Sequence, residues 1–164
     1  GYPLFRIGVW RKGVVQALDV EGGELDFLDW VAFAKTTDNF DMKTLFQSAT
    51  YRDLSDEELA GFQAPFADES HMAGARVFPY LVASQLRQNQ RAMNRFWAEW
   101  DKPFLTAFGD SDPVTAGGDV IWQETVPGAA GQRHVTVENA SHFIQDDQPE
   151  ELVRLLRDFI EQNP

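Results

Sequence analysis

Two short stretches near the end of the chain decide its interpretation: Gly-Asp-Ser-Asp-Pro at residues 109–113 and Asn-Ala-Ser-His-Phe at residues 139–143. Each follows a short apolar run that predicts a β-strand, at residues 103–108 and 134–138, and each precedes a helix-like segment. In open α/β sheets, ligands bind outside the carboxyl ends of the strands. We therefore expect an acid and a histidine to meet at this edge of a parallel sheet.

These loops predict two members of a hydrolytic triad. An acid followed by a histidine is the order in which α/β-hydrolases carry these residues after their nucleophile. His142 is the candidate base and Asp112 the candidate acid, with Asp110 as an alternative acid. No Gly-x-Ser-x-Gly motif occurs, and we find no other candidate nucleophile on a strand–turn–helix elbow before the two loops. The nucleophile of such a hydrolase is therefore not identified.

Each acidic or histidine motif also has a purely structural interpretation. A lone histidine at a strand end is more often a capped or surface residue, and Asp followed by Pro is an ordinary turn former. His71 and His134 show no partner spacing and are expected to be structural. Asp146, Asp147 and the acidic run 56–58 are expected as features of helix starts, where carboxylates suit the helix dipole. We predict no metal site and no cofactor.

Composition narrows the function classes. The chain has 164 residues, 43% of them hydrophobic, which is enough for a packed core. Its net charge of −12, without a Lys/Arg cluster, argues against nucleic acid and anionic membrane surfaces as partners. There is no cysteine, so a thiol nucleophile and disulfides are excluded. No apolar run approaches the roughly 18 residues of a membrane span, so we expect a soluble, cytoplasmic protein.

Three regions follow one another without internal repeats. Residues 1–24 contain a predicted strand at 4–10 and a linker without clear periodicity; residues 25–85 have helical periodicity; residues 86–164 alternate strands and helices. Ser-Asp-Glu-Glu at 55–58 predicts a capping box at a helix start.

The chain ends in a predicted helix. Pro149 suits the first turn of that helix. The helix carries an apolar stripe, which should pack on the sheet and consists of Leu152, Leu155, Leu156, Phe159 and Ile160.

Five motifs together resemble the haloalkane dehalogenases, in the order and spacing of that family. They are Leu-Ser-Asp-Glu-Glu-Leu (54–59), Ala-Pro-Phe-Ala-Asp-Glu-Ser (64–70), Gly-Ala-Arg-Val-Phe-Pro (74–79), Trp-Asp-Lys-Pro-Phe-Leu-Thr-Ala-Phe-Gly-Asp-Ser-Asp-Pro (100–113) and Ala-Ser-His-Phe-Ile-Gln-Asp-Asp (140–147). The similarity covers roughly residues 25–164. It implies an α/β fold: the C-terminal half of an α/β-hydrolase, with a partial sheet and flanking helices at 86–164, plus an inserted helical cap at 25–85.

The resemblance also implies a mechanism. In that family an aspartate on the elbow displaces halide from carbon to form an alkyl ester, and a histidine oriented by an acid activates the water that hydrolyses it. By resemblance His142 matches the base and Asp112 the acid. Phe-Leu-Asp-Trp at 27–30 looks like a cap motif that makes Trp30 a match for a halide donor. The residues similar to substrate-pocket positions are Phe27, Phe78, Pro79, Val82 and Val114.

Residues 1–24 depart from the family pattern, and neither the nucleophile nor the tryptophan that follows it is recognisable. We therefore expect the nucleophile-bearing N-terminal half to be absent from this chain, and the chain to need that half or self-association. The expected ligands are a small halogenated alkane, water and a halide ion. The alternatives are a catalytically inactive fragment or interaction module of the fold, and another α/β-hydrolase, such as an esterase or an epoxide hydrolase.

Overall fold

The computed structural model of the chain describes residues 27–38 and 40–164. The region 1–24 and its predicted strand lie outside the described residues. The elements are, in order, the helices α1 (Phe27–Thr36), α2 (Met42–Ala49), α3 (Asp56–Gln63) and α4 (Ala73–Ala98), the strand β1 (Ala107–Gly109), the helix α5 (Gly118–Thr125), the strand β2 (Val135–Val137), and the helices α6 (Ile144–Asp147) and α7 (Pro149–Gln162). Two short 3₁₀ helices cover Glu69–Met72 and Pro127–Ala129.

The two described strands form the predicted parallel pair. They align with Ala107 opposite Val135 and Gly109 opposite Val137. Each strand is shorter than the apolar run that predicts it. Strand β1 begins only at Ala107, because Phe104 donates its N–H to the carbonyl of Gly128, at 3.0 Å, instead of to a neighbouring strand.

The C-terminal helix α7 packs on this sheet through part of its apolar stripe. Leu155 is buried with Val137 of β2 and Ala140 of the following loop. Leu156 and Ile160, which belong to the same stripe, are exposed. The stripe is wider than the surface that the two described strands offer, so only its centre is covered within the described part of the chain.

A second core lies among the N-terminal helices. It is formed by Ala34, Phe40, Met42 and Met72, where α1 contacts α4. The capping box at the start of α3 forms as predicted, with Ser55 and Glu58 each bonded to the other's backbone N–H.

Helix α4 is continuous from Ala73 to Ala98 and runs across the predicted boundary between residues 85 and 86. Its end joins an aromatic cluster that links the helical region to the strands; the cluster consists of Phe96, Trp97, Trp100, Phe104 and Trp122. The division into a cap and a main domain stays a prediction. Of the helices in the described ranges, none is long and apolar enough to span a bilayer.

Candidate active site

The loops that follow β1 and β2 lie side by side and are joined by backbone hydrogen bonds. Asp110 donates its N–H to Val137 at 3.0 Å, and Ser111 donates to Ala140 at 2.9 Å. Gly109 makes this approach possible: a Cβ there would lie 2.9 Å from the carbonyl oxygen of Ser141 and closer still to that of Ala140. The acid and histidine loops therefore meet at one edge of the sheet, as predicted.

This edge brings His142 and Asp112 together. Nδ1 of His142 lies 3.2 Å from Oδ2 of Asp112, and the two side chains are 34% and 7% exposed. Because a carboxylate can only accept, the proton between them is assigned to Nδ1. Nε2 of His142 makes no hydrogen bond to any residue that the structure describes. Within residues 27–38 and 40–164, that nitrogen is therefore open to a molecule in the site.

Asp112 is held as a carboxylate by further donors. Val114 donates its backbone N–H to Oδ1 at 2.7 Å, and the hydroxyl of Thr115 donates to Oδ2. Burial alone would raise the pKa of Asp112, but the hydrogen bonds from His142, Thr115 and Val114 outweigh it and hold this pKa below its usual value. Asp112 is therefore ionised at neutral pH.

The alternative acid, Asp110, has other partners. Its Oδ1 accepts from the hydroxyl of Ser111 at 2.9 Å and from the N–H of Ala140 at 3.3 Å. Burial opposes ionisation here too, yet the hydrogen bonds prevail and lower the pKa of Asp110. Asp110 thus fixes the two loops to each other, whereas Asp112 contacts the imidazole. The roles of His142 as base and Asp112 as acid remain predictions.

An apolar cavity of about 460 Å³ opens beside this pair. His142 lines it together with Trp30, the halide donor implied by the resemblance, and four residues that the resemblance assigns to the substrate pocket: Phe78, Pro79, Val82 and Val114. The side chain of Phe27, also predicted there, lies outside what the structure describes. The indole of Trp30 packs against Phe33 and Phe40, with ring centroids 5.7 and 5.9 Å away.

Sequence reasoning missed one wall of the cavity. This wall is the apolar face of α2, formed by Met42, Leu45, Phe46 and Ala49. The four positions follow the i, i+3, i+4, i+7 spacing of a buried helix face, so the spacing was a usable indication. Thr115 and Phe143, which flank the candidate acid and base, also line the cavity and were not predicted.

The remaining histidines lie elsewhere. His71 pairs with the exposed Asp68 at 2.9 Å. Nδ1 of His134 accepts the N–H of Thr106 at 3.2 Å, and its Nε2 lies 2.9 Å from the carbonyl oxygen of Ala129. Across residues 27–38 and 40–164, no group of three or more acidic or histidine side chains could hold a metal ion.

The chain is similar in sequence to curated haloalkane dehalogenases. The curated haloalkane dehalogenase of Psychrobacter cryohalolentis is 44% identical over 142 residues, covering 84% of this chain and 47% of the relative. That of Mycolicibacterium paratuberculosis is 39% identical over 131 residues, covering 77% and 43%. This chain is a partial homologue of the haloalkane dehalogenases. It spans less than half the length of these curated relatives. No protein-family model matches it.

Solved structures establish the fold. The haloalkane dehalogenase DatA of Agrobacterium tumefaciens matches with a TM-score of 0.68 at 21% identity, over 99% of this chain and 56% of that one. An α/β-hydrolase fold protein of Burkholderia ambifaria matches with a TM-score of 0.56 at 21% identity, over 93% and 53%. The predicted resemblance and the predicted fold class, part of a dehalogenase α/β-hydrolase, are confirmed.

Proposed function

We propose that this chain supplies the base, the orienting acid and a large part of the substrate pocket of a haloalkane-dehalogenase-like hydrolase. The reaction replaces a carbon–halogen bond by a carbon–oxygen bond with water, through an alkyl ester on an enzyme carboxylate. The observation that carries the proposal is the contact between His142 and the buried Asp112 at the wall of an apolar cavity.

In the proposed mechanism His142 activates water. Asp112 holds the Nδ1–H of the imidazole, so Nε2 can accept a proton from a water molecule in the cavity. The water oxygen bonds to the carbonyl carbon of the ester, and the bond from that carbon to the alkoxy oxygen breaks. The imidazolium returns its proton to the departing alkoxy oxygen, so the alcohol leaves, and the re-formed carboxyl group loses its proton to solvent. The ionised Asp112 stabilises the imidazolium that exists between these proton transfers.

The cavity suits a small halogenated alkane. Its walls are mostly aromatic and aliphatic, which favours an alkyl chain and excludes water from a departing anion. Trp30 is the proposed halide donor, because its indole N–H is a hydrogen-bond donor and cannot compete as an acceptor. Phe78, Pro79, Val82 and Val114 are the proposed contacts of the alkyl group, with Phe27 added from the resemblance alone.

The attacking carboxylate is the element that we do not identify in this chain. We propose that it comes from a segment equivalent to the N-terminal half of the relatives. The partners of the site are then that segment, the haloalkane, water and the halide.

The experiment that tests this proposal compares the chain alone with the chain mixed with a protein fragment that carries a nucleophile. The chain alone should release no bromide from a bromoalkane above the level of its His142→Ala variant. Mixed with the N-terminal half of the Psychrobacter cryohalolentis dehalogenase, it should release bromide in a way that depends on His142. With His142→Gln the ester should form and persist, and mass spectrometry should find the alkyl group on the nucleophile-bearing half.

The matched control is His71→Gln, a surface histidine outside the cavity, which should keep full turnover. Turnover by the chain alone that depends on His142 would show that the nucleophile has been overlooked. If the mixture forms a stable complex but releases no halide, a non-catalytic fragment is the better description. Hydrolysis of an ester or an epoxide in place of a haloalkane would assign a different hydrolase.

A further inference from the structure

Asp147, which the sequence suggests is a helix-start feature, is bonded to two distant parts of the chain. Its carboxylate accepts the backbone N–H of Tyr51 at 2.8 Å and that of Arg52 at 3.1 Å. It also accepts the N–H of Ser141 at 2.8 Å. Tyr51 and Arg52 follow helix α2, whereas Ser141 directly precedes His142. One carboxylate therefore joins the end of α2 to the histidine loop.

Other contacts reinforce this junction on the far side of His142. Phe143 donates its N–H to the carbonyl of Ala49 at 2.9 Å, and its ring stacks on Phe46 with centroids 5.0 Å apart. The Nε of Arg52 donates to the carbonyl of Asp146 at 2.9 Å. His142 thus sits between two residues that are each bonded, directly or through Asp147, to the segment that ends α2.

The position of this junction matters because α2 is a wall of the cavity. Ala49 and Phe46 line the cavity, and so do His142 and Phe143. A displacement of the histidine loop relative to α2 would change the distance from the imidazole to anything bound in the cavity. It would also weaken the hydrogen bond to Asp112, because its length of 3.2 Å is already at the long end of the usual range.

We propose that Asp147 is a positioning residue that holds the His142 loop against the end of α2 and thereby keeps the imidazole on Asp112. This inference rests on the proposed function, since it presumes that the orientation of His142 matters for catalysis. An aspartate suits the task because its two oxygens can accept several N–H groups at once, whereas an asparagine has one carbonyl oxygen and an amide group that would face donors.

The test compares two adjacent residues. Asp147→Asn is the probe, and Asp146→Asn is the matched control: among the described residues, the Asp146 carboxylate accepts a hydrogen bond only from the exposed side chain of Gln145, at 3.0 Å. In Asp147→Asn we expect the Ser141 and Arg52 amides to exchange with solvent about tenfold faster, as for the loss of a charge-assisted hydrogen bond. The Nδ1–H resonance of His142 in imidazole NMR should broaden or disappear.

Asp146→Asn should leave both observables as in the unchanged chain. If Asp147→Asn lowers the free energy of unfolding but leaves the Nδ1–H resonance of His142 intact, Asp147 is merely structural and the proposal is overturned. If that variant does not fold, the unchanged chain decides: the Tyr51, Arg52 and Ser141 amides should exchange as slowly as the Val137 amide, and fast exchange would refute the junction. None of these readouts requires turnover, so the proposal can fail independently of the proposed function.

Discussion

Two parts of the candidate site are built by different forces. The histidine corner consists of the adjoining loops 109–115 and 139–143, and the apolar wall consists of the cavity-lining side chains of α1, α2 and α4. In the corner, each carboxylate oxygen of Asp112 has a directional partner at a defined distance. In the wall, side chains from α1, α2 and α4 meet through apolar contact, and Phe78 lines the cavity although it is 66% exposed. Directional contacts fail when one atom is removed, whereas apolar walls tolerate changes that conserve volume. Substitutions in the corner should therefore have the larger effects.

The largest effect is expected at Gly109, where the corner leaves no room for a side chain. Gly109→Val places its Cβ against the carbonyl oxygens of Ala140 and Ser141. The two loops must separate, so we expect the free energy of unfolding to fall by about 3 kcal/mol. Urea denaturation measures this change, and amide signals of the 139–143 loop should shift most.

Gly61→Ala is the matched control for this prediction. A Cβ at Gly61, within helix α3, would meet nothing within 4 Å. Alanine in a helix interior is favoured over glycine, so this variant should gain about 0.5 kcal/mol. If both glycine variants changed stability equally, steric exclusion at Gly109 would be the wrong explanation.

A smaller effect is expected from one hydrogen bond in the corner. Thr115→Val keeps the shape of the side chain but removes the hydroxyl that donates to Oδ2 of Asp112. We expect about 1.5 kcal/mol of stability to be lost at neutral pH, and the pKa of Asp112 to rise towards its usual value. Carboxyl NMR titration measures the second quantity.

The pH dependence of this loss has a definite sign. The pKa of Asp112 is lowered in the folded chain, so its contribution is present above the ordinary value of 3.8 and is lost as the pH falls through the lowered value. The difference between Thr115→Val and the unchanged chain should shrink in acid. Thr115→Ser should behave like threonine, and a loss of the same size in serine would point to packing of the methyl group.

How much could be predicted from sequence differs between the two regions. The corner was predictable because its residues lie in two short loops, each directly after a strand, so topology alone brings His142 to Asp112. In the wall, the positions of Trp30, Phe78 and Pro79 were predicted only from the family resemblance. Apolar spacing indicates a buried face but not which cavity that face lines. The apolar spacing of α2 likewise predicts a buried helix face without showing that this face lines the cavity.

Asp147 shows what sequence pattern cannot convey. Its partners Tyr51 and Arg52 lie 96 and 95 residues earlier, and no local motif encodes that proximity. The adjacent Asp146 carries the same charge and lies in the same helix, yet its carboxylate accepts a hydrogen bond from the neighbouring Gln145 side chain. The distinction between the two carboxylates depends on tertiary packing. The exposure of Leu156 and Ile160 also depends on tertiary packing. Periodicity predicts an apolar stripe but not how much of that stripe a neighbouring surface covers.

In the wall, the sharpest prediction concerns Trp30. In the complex with a nucleophile-bearing half, bromide should quench tryptophan fluorescence, and Trp30→Phe should weaken bromide binding by about tenfold, as for one hydrogen bond to an anion. Phenylalanine keeps the aromatic contacts with Phe33 and Phe40 but has no N–H. Trp122→Phe, in the aromatic cluster at the end of α4, should leave bromide binding unchanged. Unchanged affinity in Trp30→Phe would leave Trp30 as a packing residue.

The smallest expected effect lies outside both regions, at the ion pair that supports the end of α2. Glu58 accepts two hydrogen bonds from Arg52, at 3.1 and 2.5 Å, and one from the Ser55 N–H at 2.8 Å. The Arg52 guanidinium, aided by Ser55, lowers the pKa of Glu58 from 4.5 to about 2. Because the pKa of Glu58 is lower in the folded chain, its ionised form stabilises the fold above pH 4.5, and this stabilisation is lost as the pH falls from 4.5 to about 2.

Glu58→Gln should therefore be less stable than the unchanged chain at neutral pH, and the two should converge as the pH approaches 2. The difference should be small and should weaken in salt, because the two side chains are 39% and 40% exposed and water screens their attraction. Glu57→Gln, at the exposed position next to it, is the control and should not reproduce the pH-dependent convergence. Urea denaturation at several pH values measures the effect. A constant difference between Glu58→Gln and the unchanged chain across that range would mean that helix capping by shape, and not the ionised pair, accounts for the contribution of Glu58.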